Sequence, residues 1–390
     1  MKNLVFVIST SRYANTGFGG HYYSLLTYIY VLKNTYNITV IHINDLNNTL
    51  LDEVIIEECN IINISSNDDI DTYNLIKKVD IGVFFSNSSK SQLIKYQLIK
   101  KGAPVIGVKP GGSNPKYYFP YYDYIICFSI ENYQWFKKSY IYRSTSIITK
   151  LSNRVLEIPI NRKRINEFEY HLDNHINILR ISKIGNKYYD SFVKTINLHN
   201  RLSKDNIKVN TVIIGIIECE EAYNKLIKLI NNNCNIVLLT DYKYTYNARE
   251  YIPLFDLVVG VGRGFMEAVS EHKNVLGISN KYNIPIVVDE YNYNIFEEYN
   301  FSLRNNYSGK NEIKEYEKIK VILYNAGQSK KNREYLNAKY NSNYNAIKVL
   351  EYFKNINIVR KTKVHYMLFD YIVNNVLKVI KTINNKIIKK

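Results

Sequence analysis

Short runs built almost wholly of Val, Ile, Leu and Phe recur along the chain, each followed by a longer mixed stretch of polar and apolar residues. The runs lie at 4–8, 38–43, 81–85, 105–108 and 124–128, and again at 176–181, 209–215, 236–239, 256–261, 275–278 and 284–288. A strand that is apolar on both faces must be covered on both faces, and the helices that do this join strands running the same way. The intervening stretches predict helices at 20–33, 71–78, 88–101, 131–138, 188–202, 220–231 and 265–271. After residue 310 the strand pattern stops, and helical stretches follow at 311–325, 330–353 and 364–386. The expected class is α/β, with two doubly wound Rossmann-like domains facing a cleft and helices at the C-terminus. Residues 1–155 make the first domain, 156–174 the crossing (with Pro159 and a run of charges), 175–327 the second domain and 328–390 the terminal helices.

The chain has 390 residues, enough for two domains, and 46% of them are hydrophobic, enough for two cores. That composition excludes a disordered chain, a collagen-like fibre and a disulfide mini-protein. Cys59, Cys127, Cys219 and Cys234 show no C-x-x-C spacing and sit in or beside apolar runs, as free thiols of a reducing compartment do. The N-terminal apolar stretch is short and lacks a cleavage-site pattern, so it reads as a first buried strand. No window offers about 18 unbroken apolar residues, so no membrane span is expected and the expected location is the cytoplasm. The formal net charge is +17, which admits nucleic acid, an anionic membrane or an anionic small substrate as partner. No nucleic-acid-binding signature accompanies the charge, so nucleic acid is not expected.

Four segments could carry chemistry. Thr16-Gly-Phe-Gly-Gly-His21 follows the first strand and opens a helix, so Gly19 and Gly20 would let a ligand approach the backbone and His21 would border it. Lys109-Pro-Gly-Gly-Ser113 also follows a strand; Lys109, Gly111 and Gly112 fit either a ligand loop or a plain Pro-Gly turn. Arg180-Ile-Ser-Lys-Ile-Gly-Asn-Lys187 ends the first strand of the second half, and Lys183 and Lys187 there suit a diphosphate. The most specific segment runs from Asp256 through Gly260, Gly262, Arg263, Gly264 and Glu267 to Gly277: strand, glycine turn, helix, strand. Its helix N-terminus can face a phosphate, and Glu267 can accept hydrogen bonds from vicinal hydroxyls such as those of a ribose.

Gly-x-Gly-Arg-Gly-x-x-Glu-Ala followed by Asn-Val-Leu-Gly resembles the donor-site motif of GT-B glycosyltransferases of family four. The glycine loop at Gly19–Gly20, the basic segment at Lys183 and Lys187, and Ser152-Asn-Arg-Val155 at the crossing extend the resemblance over roughly residues 1–350. It implies a retaining transferase that moves a sugar from a nucleotide-diphospho-sugar to a surface polysaccharide or glycolipid. Lys183, Lys187, Gly262, Arg263, Gly264 and Glu267 would bind the donor. Gly19, Gly20, His21, Lys109, Gly111 and Gly112 would line the cleft, with His21 the one candidate for a direct catalytic part. It implies no metal and no cofactor. The chain departs from the family in three respects: the family carries a second glutamate eight positions before Glu267, where Val259 stands here; its arginine in the basic segment is matched by Lys183, with a shorter gap to Lys187; and Ser152 replaces the proline at the crossing. An inactive nucleotide-sugar-binding homologue and a nucleotide-sugar epimerase are therefore the alternatives.

From 354 to 390 the chain carries nine basic residues and one acid, Asp370. Phe369, Ile372, Val373, Val376, Ile380, Ile383 and Ile387 recur at spacings of three and four and share a helix face. That face fits packing onto the first domain, or contact with an anionic membrane that holds a lipid-linked acceptor. Asp69-Ile-Asp71 reads as a helix cap rather than a metal site, and His171 with His175 lacks a third ligand.

Overall fold

The computed structural model describes residues 1–9, 20–43, 59–64, 78–116, 118–151, 175–230, 233–309, 311–340 and 342–356, together with positions 155, 168, 172, 369, 370, 372, 373 and 376. Gly19, the Asp69–Asp71 tripeptide, Ser152–Arg154, His171 and most of the crossing and of the terminal helix lie outside the described residues. The chain divides into two compact units. One holds the described residues of Met1–Ala14, His21–Ser152 and Ala346–Lys390, the other those of Asn15–Gly20 and Asn153–Asn345.

The first unit is built on a seven-stranded sheet of β1 (Lys2–Ser9), β2 (Tyr36–Ile43), β3 (Asn60–Ile64), β4 (Ile81–Phe84), β5 (Val105–Lys109), β6 (Tyr124–Cys127) and β7 (Ile147–Lys150). Its order is β3-β2-β1-β4-β5-β6-β7, and every pairing is parallel. In β1, Leu4, Phe6, Val7 and Ile8 are fully buried, as a strand with helices on both faces requires. The helices are α1 (Gly20–Leu32), α2 (Ser89–Lys101), α3 (Ile130–Lys138) and α4 (Tyr140–Thr145). Ser88 and Ser129 cap α2 and α3 by accepting from the amides of Ser91 and Asn132.

The second unit holds β8 (Ile176–Ile181), β9 (Val209–Ile214), β10 (Ile236–Leu239), β11 (Leu257–Val259), β12 (Asn274–Gly277) and β13 (Ile286–Val287), in the order β10-β9-β8-β11-β12-β13. Its pairings are parallel except that β13 runs antiparallel to β12. Helices α5 (Tyr189–Lys204), α6 (Glu220–Ile230), α7 (Tyr242–Thr245), α8 (Arg263–Ser270), α9 (Tyr293–Glu298), α10 (Glu312–Tyr324) and α11 (Ala326–Lys339) accompany them, with a 3-10 helix at Ala248–Leu254. Both sheets are doubly wound. The strand order reverses between β1 and β4 in one unit and between β8 and β11 in the other. Loops at the carboxyl ends of strands flanking such a reversal diverge and leave room for a ligand.

The predicted helix at 330–353 is two helices, α11 and α12 (Ser342–Lys354), broken at Tyr340. In the first unit, Phe353 of α12 packs its ring 6.0 Å from Tyr28 and 6.4 Å from Tyr36, and Tyr352 lies 6.4 Å from Tyr124. Farther on, the side chain that faces the protein is the charged one. Asp370 is 1% exposed and meets the equally buried Lys95 of α2 at 2.6 Å, while accepting from the Tyr121 amide at 3.1 Å. Phe369, Ile372 and Val376 are each about half exposed. Of the stripe, Phe369 meets the Tyr118 ring edge-on at 6.1 Å with half its surface left open, while Ile372 and Val376 keep about half of theirs exposed.

Burial drives both partners toward neutrality: it pushes the Asp370 carboxyl up to about 6 and the Lys95 ammonium down. Between the ordinary carboxylate range and pH 6 the folded state therefore binds more protons than the unfolded chain, and Asp370 contributes less stability as pH rises through that window. Breaking a buried pair strands the remaining charge, whereas removing both does not. We expect Lys95→Met and Asp370→Asn each to lower unfolding free energy by about 3–5 kcal/mol. The Lys95→Met/Asp370→Asn double variant should lose clearly less than the sum, measured by urea unfolding.

Candidate functional site

In the second unit the predicted donor residues come from the two strands that flank the reversal. β8 and β11 pair in register, with Arg180 opposite Val259. The segment after β8 carries Lys183 and Lys187. It is stitched to the loop after β9, since the Ile184 amide donates to the Ile216 carbonyl at 2.8 Å and the Glu218 amide to the Ile184 carbonyl at 2.9 Å. Lys183 is partly exposed, with its ammonium 3.7 Å from the Glu218 carboxylate. Lys187 is exposed, its ammonium 5.2 Å from the centre of the Tyr188 ring.

The segment after β11 turns sharply at Gly262, where φ is +58° and ψ −120°. A side chain strains that backbone, so glycine is required there. The Gly262 amide donates to the Phe301 carbonyl at 2.7 Å, and the Phe265 and Phe301 rings stack at 4.2 Å to hold the turn from below. The N-cap residue of α8 is Gly262, which has no side chain to cap the helix that begins at Arg263. Space is open around Gly264, where an added Cβ would meet nothing within 4 Å. Arg263 and Glu267, one helical turn apart, are joined: Arg263 Nε donates to Glu267 Oε1 at 2.6 Å, and both side chains are about nine-tenths buried. The arginine thus fixes the carboxylate within the first two turns of α8.

Two side chains that the sequence reading did not select belong to this region. Glu218 is one, brought to Lys183 by the β9 loop; no local motif marks it. Arg180 is the other. It stood at the head of the basic segment, but its place inside an apolar strand hid it as a site residue. It is 1% exposed, donates through Nη1 to the Val259 carbonyl at 3.1 Å and through Nη2 to Ser191 Oγ at 2.8 Å. Burial pushes its guanidinium down to about 10, still charged at neutral pH.

Gly20 and His21 open α1, and the His21 ring lies 4.2 Å from that of Tyr22. Gly111 and Gly112 both adopt positive φ, 94° and 77°. Lys109 Nζ donates to the Gly111 carbonyl at 2.6 Å, so the lysine closes its own turn. Asn132 ties the turn to α3, donating to the Gly112 carbonyl and to Asn114. This loop ends β5, one strand beyond the reversal at β1 and β4. Among the described residues, no group of three His, Cys, Asp or Glu is arranged to hold a metal ion.

No family model matches the chain, and no curated protein matches it by sequence. Solved structures do match. HepE of Anabaena, in complex with UDP and glucose, has a TM-score of 0.63 at 10% identity, over 91% of this chain and 100% of that one. A glycosyltransferase of Rickettsia africae has a TM-score of 0.63 at 17% identity, over 93% and 99%. UDP-GlcNAc 2-epimerase of Neisseria meningitidis, bound to UDP-GlcNAc, has a TM-score of 0.54 at 14% identity, over 91% and 100%. The fold is that of the GT-B glycosyltransferases. It is shared with the epimerases, and likeness at these identities speaks for architecture alone.

The two glycines of the α8 turn should respond oppositely to alanine. Gly262→Ala forces a side chain onto a positive-φ backbone and should cost about 1–3 kcal/mol of unfolding free energy. Gly264→Ala fills open space in a helix and should be neutral or stabilising by about 0.5–1 kcal/mol. Thermal and urea unfolding of the two variants side by side is the check.

Proposed function

We propose that the chain is a glycosyltransferase that takes its sugar from a nucleotide-diphospho-sugar, with retention at the anomeric carbon. The observation that carries this reading is the pairing of an uncapped helix N-terminus behind Gly262 with the fixed Arg263–Glu267 pair, beside the lysines of the β8 segment. Such an arrangement serves departure of a nucleoside diphosphate. As the glycosidic bond breaks, negative charge grows on the diphosphate, and Lys183, Lys187, Arg263 and the amides at Gly264 stabilise it where it grows. Glu267, with one oxygen held by Arg263, accepts from the ribose hydroxyls through the other. HepE is solved with UDP and glucose and the epimerase with UDP-GlcNAc, which makes a UDP-sugar the first donor to test. Gly19, Gly20, His21, Lys109, Gly111 and Gly112 are proposed to serve the acceptor, a growing glycan or a lipid-linked sugar. No metal or cofactor is part of the proposal.

The epimerases share the fold, so the test must separate the two chemistries. We expect slow release of nucleoside diphosphate from one member of a panel of nucleotide sugars, at a rate that falls at least about tenfold in Glu267→Ala, as loss of a hydrogen bond to a charged group implies. Isomerised sugar in place of released diphosphate would make the chain an epimerase; binding without turnover would make it an inactive homologue.

We also propose that the C-terminal helix rests on an anionic membrane, where a lipid-linked acceptor would be found. Two observations support this: the exposed Phe369, Ile372 and Val376 beside a gripped Asp370, and the excess of basic residues from 354 to 390. Among the described residues no helix is long and apolar enough to cross a membrane, so the contact would be interfacial. The full chain should float with anionic vesicles, bind neutral ones weakly and be released by salt. A Phe369→Glu/Ile372→Glu/Val376→Glu variant, which leaves Lys95 and Asp370 intact, should not float. Equal flotation of both chains would remove the membrane from the proposal.

A further inference from the structure

Apart from the C-terminal segment, two helices of the first unit hold large apolar and aromatic side chains open to solvent. Leu93 and Tyr96 of α2 and Ile141 of α4 are each close to half exposed, and Tyr140 of α4 is 73% exposed. On α2, Leu93, Tyr96 and Lys100 follow one another at spacings of three and four. They form the stripe opposite Ile94 and Leu98, which are buried against the sheet.

Both helices cover the same face of the seven-stranded sheet. The crossovers from β4 to β5 and from β6 to β7 step in one direction along the strand order, and right-handed crossovers that do so lie on one side. Their inner residues agree: Ile94 and Leu98 of α2, Phe136 of α3 and Tyr142 of α4 share one core with Tyr121 and Tyr122. The stretch at 369–370 joins this face. Lys95 of α2 holds Asp370. A line of ring contacts runs from Phe369 through Tyr118, Tyr121 and Tyr142 to Trp135 of α3, with centres 6.1, 5.8, 5.6 and 5.5 Å apart.

Charge sets this face apart from other helices with open apolar residues. α2 carries four lysines and no acid, and residues 130–145 carry Lys137, Lys138 and Arg143 against Glu131 alone. Lys95 is spent on Asp370, which leaves six cations and one acid around the open side chains. α10 also exposes Ile313, Val321 and Tyr324, but among three glutamates and three lysines, and α6 exposes Ile227 and Leu229 among two of each. A cluster of open apolar side chains marks a surface that meets a partner. Where cations surround it and tyrosine rings can sit at headgroup level, the matching partner is an anionic leaflet rather than a protein of mixed charge.

Resting on the membrane reading of the C-terminal helix, we propose that this face of the first unit is a second membrane-contact surface. Leu93, Tyr96, Tyr140 and Ile141 enter the interface of an anionic leaflet together with Phe369, Ile372 and Val376, while Lys100, Lys137, Lys138 and Arg143 meet the headgroups. Two regions of contact on one unit fix its orientation over the lipid; one helix alone would leave it free to turn.

The test uses the full chain with vesicles of phosphatidylcholine, with and without phosphatidylglycerol. Leu93→Gln/Tyr96→Gln/Tyr140→Gln/Ile141→Gln changes exposed side chains and leaves Lys95, Asp370 and the C-terminal stripe intact. We expect its flotation with anionic vesicles to weaken about tenfold or more, with folding checked by circular dichroism. Trp135, the one tryptophan of the chain, gives a second readout. Lipid brominated in its acyl chains should quench its fluorescence in the parent, and the variant should lose that quenching. A parent that floats without quenching, or a variant that floats and is quenched as the parent is, overturns the proposal and leaves the C-terminal helix standing as the anchor. A parent that sediments as a dimer and becomes monomeric in the variant, with flotation unchanged, makes the face an interface between copies and overturns the proposal as well. If the variant does not fold, Lys100→Gln/Lys137→Gln/Lys138→Gln/Arg143→Gln takes its place, and flotation equal to the parent's again overturns the proposal. A parent that does not float with anionic vesicles overturns this inference and the membrane reading together.

Discussion

The second unit depends on one pairing, that of β8 with β11, which places Arg180 beside Val259 in register. Strands adjacent in the sheet but reached from opposite directions send their outgoing loops apart, and the opening between those loops is where a ligand's charged group can meet two segments at once. The basic segment and the Gly262 turn are those two segments. Neither is unusual alone: a lysine-bearing loop is common in a chain with 52 basic residues, and a glycine turn before a helix is common anywhere. Parallel pairing brings them to one edge, and the stacked Phe265 and Phe301 rings under the turn keep the backbone in a conformation that only glycine tolerates.

Three buried arginines and lysines show three ways of carrying charge into an interior. Lys95 has a carboxylate at 2.6 Å, and the pair fastens a distant segment to the first unit without adding net charge. Arg263 has Glu267 at the same distance, and the pair holds a carboxylate still at a helix start. Arg180 has neutral oxygens only. The first is a structural tie, and the second positions a carboxylate. The third is held among the described residues by carbonyl and hydroxyl oxygens and by the face of the Phe192 ring.

Most strands were legible because burial on both faces leaves an unmistakable run of branched and aromatic residues. β8 and β10 match their expected bounds at 176–181 and 236–239. β3 and β7 were not legible: Asn-Ile-Ile-Asn-Ile and Ile-Ile-Thr-Lys lie at the ends of the sheet order, where one neighbour is missing and polar residues are tolerated. The break between α11 and α12 was missed because Lys330–Phe353 has no glycine or proline to mark it. In the site, the Gly-Arg-Gly-x-x-Glu segment was readable since its residues are local to one turn of helix. Glu218 was not, because its relation to Lys183 runs through a bridge between two loops, and Arg180 was not, because a charge inside an apolar strand is invisible until its neighbours are known.

The valine that interrupts the resemblance acquires a physical meaning from the same pairing. Val259 is 1% exposed and lies in register with Arg180, so the two side chains leave the sheet on the same face, on strands about 4.8 Å apart. A carboxylate at position 259 would fall beside the guanidinium and neutralise it. With valine there, apolar packing takes up the space, the carbonyl of the same residue takes the hydrogen bond, and the positive charge of Arg180 stays uncancelled. Valine at 259 thus belongs to the packing of β11 on its neighbours and supplies the carbonyl that Arg180 grips.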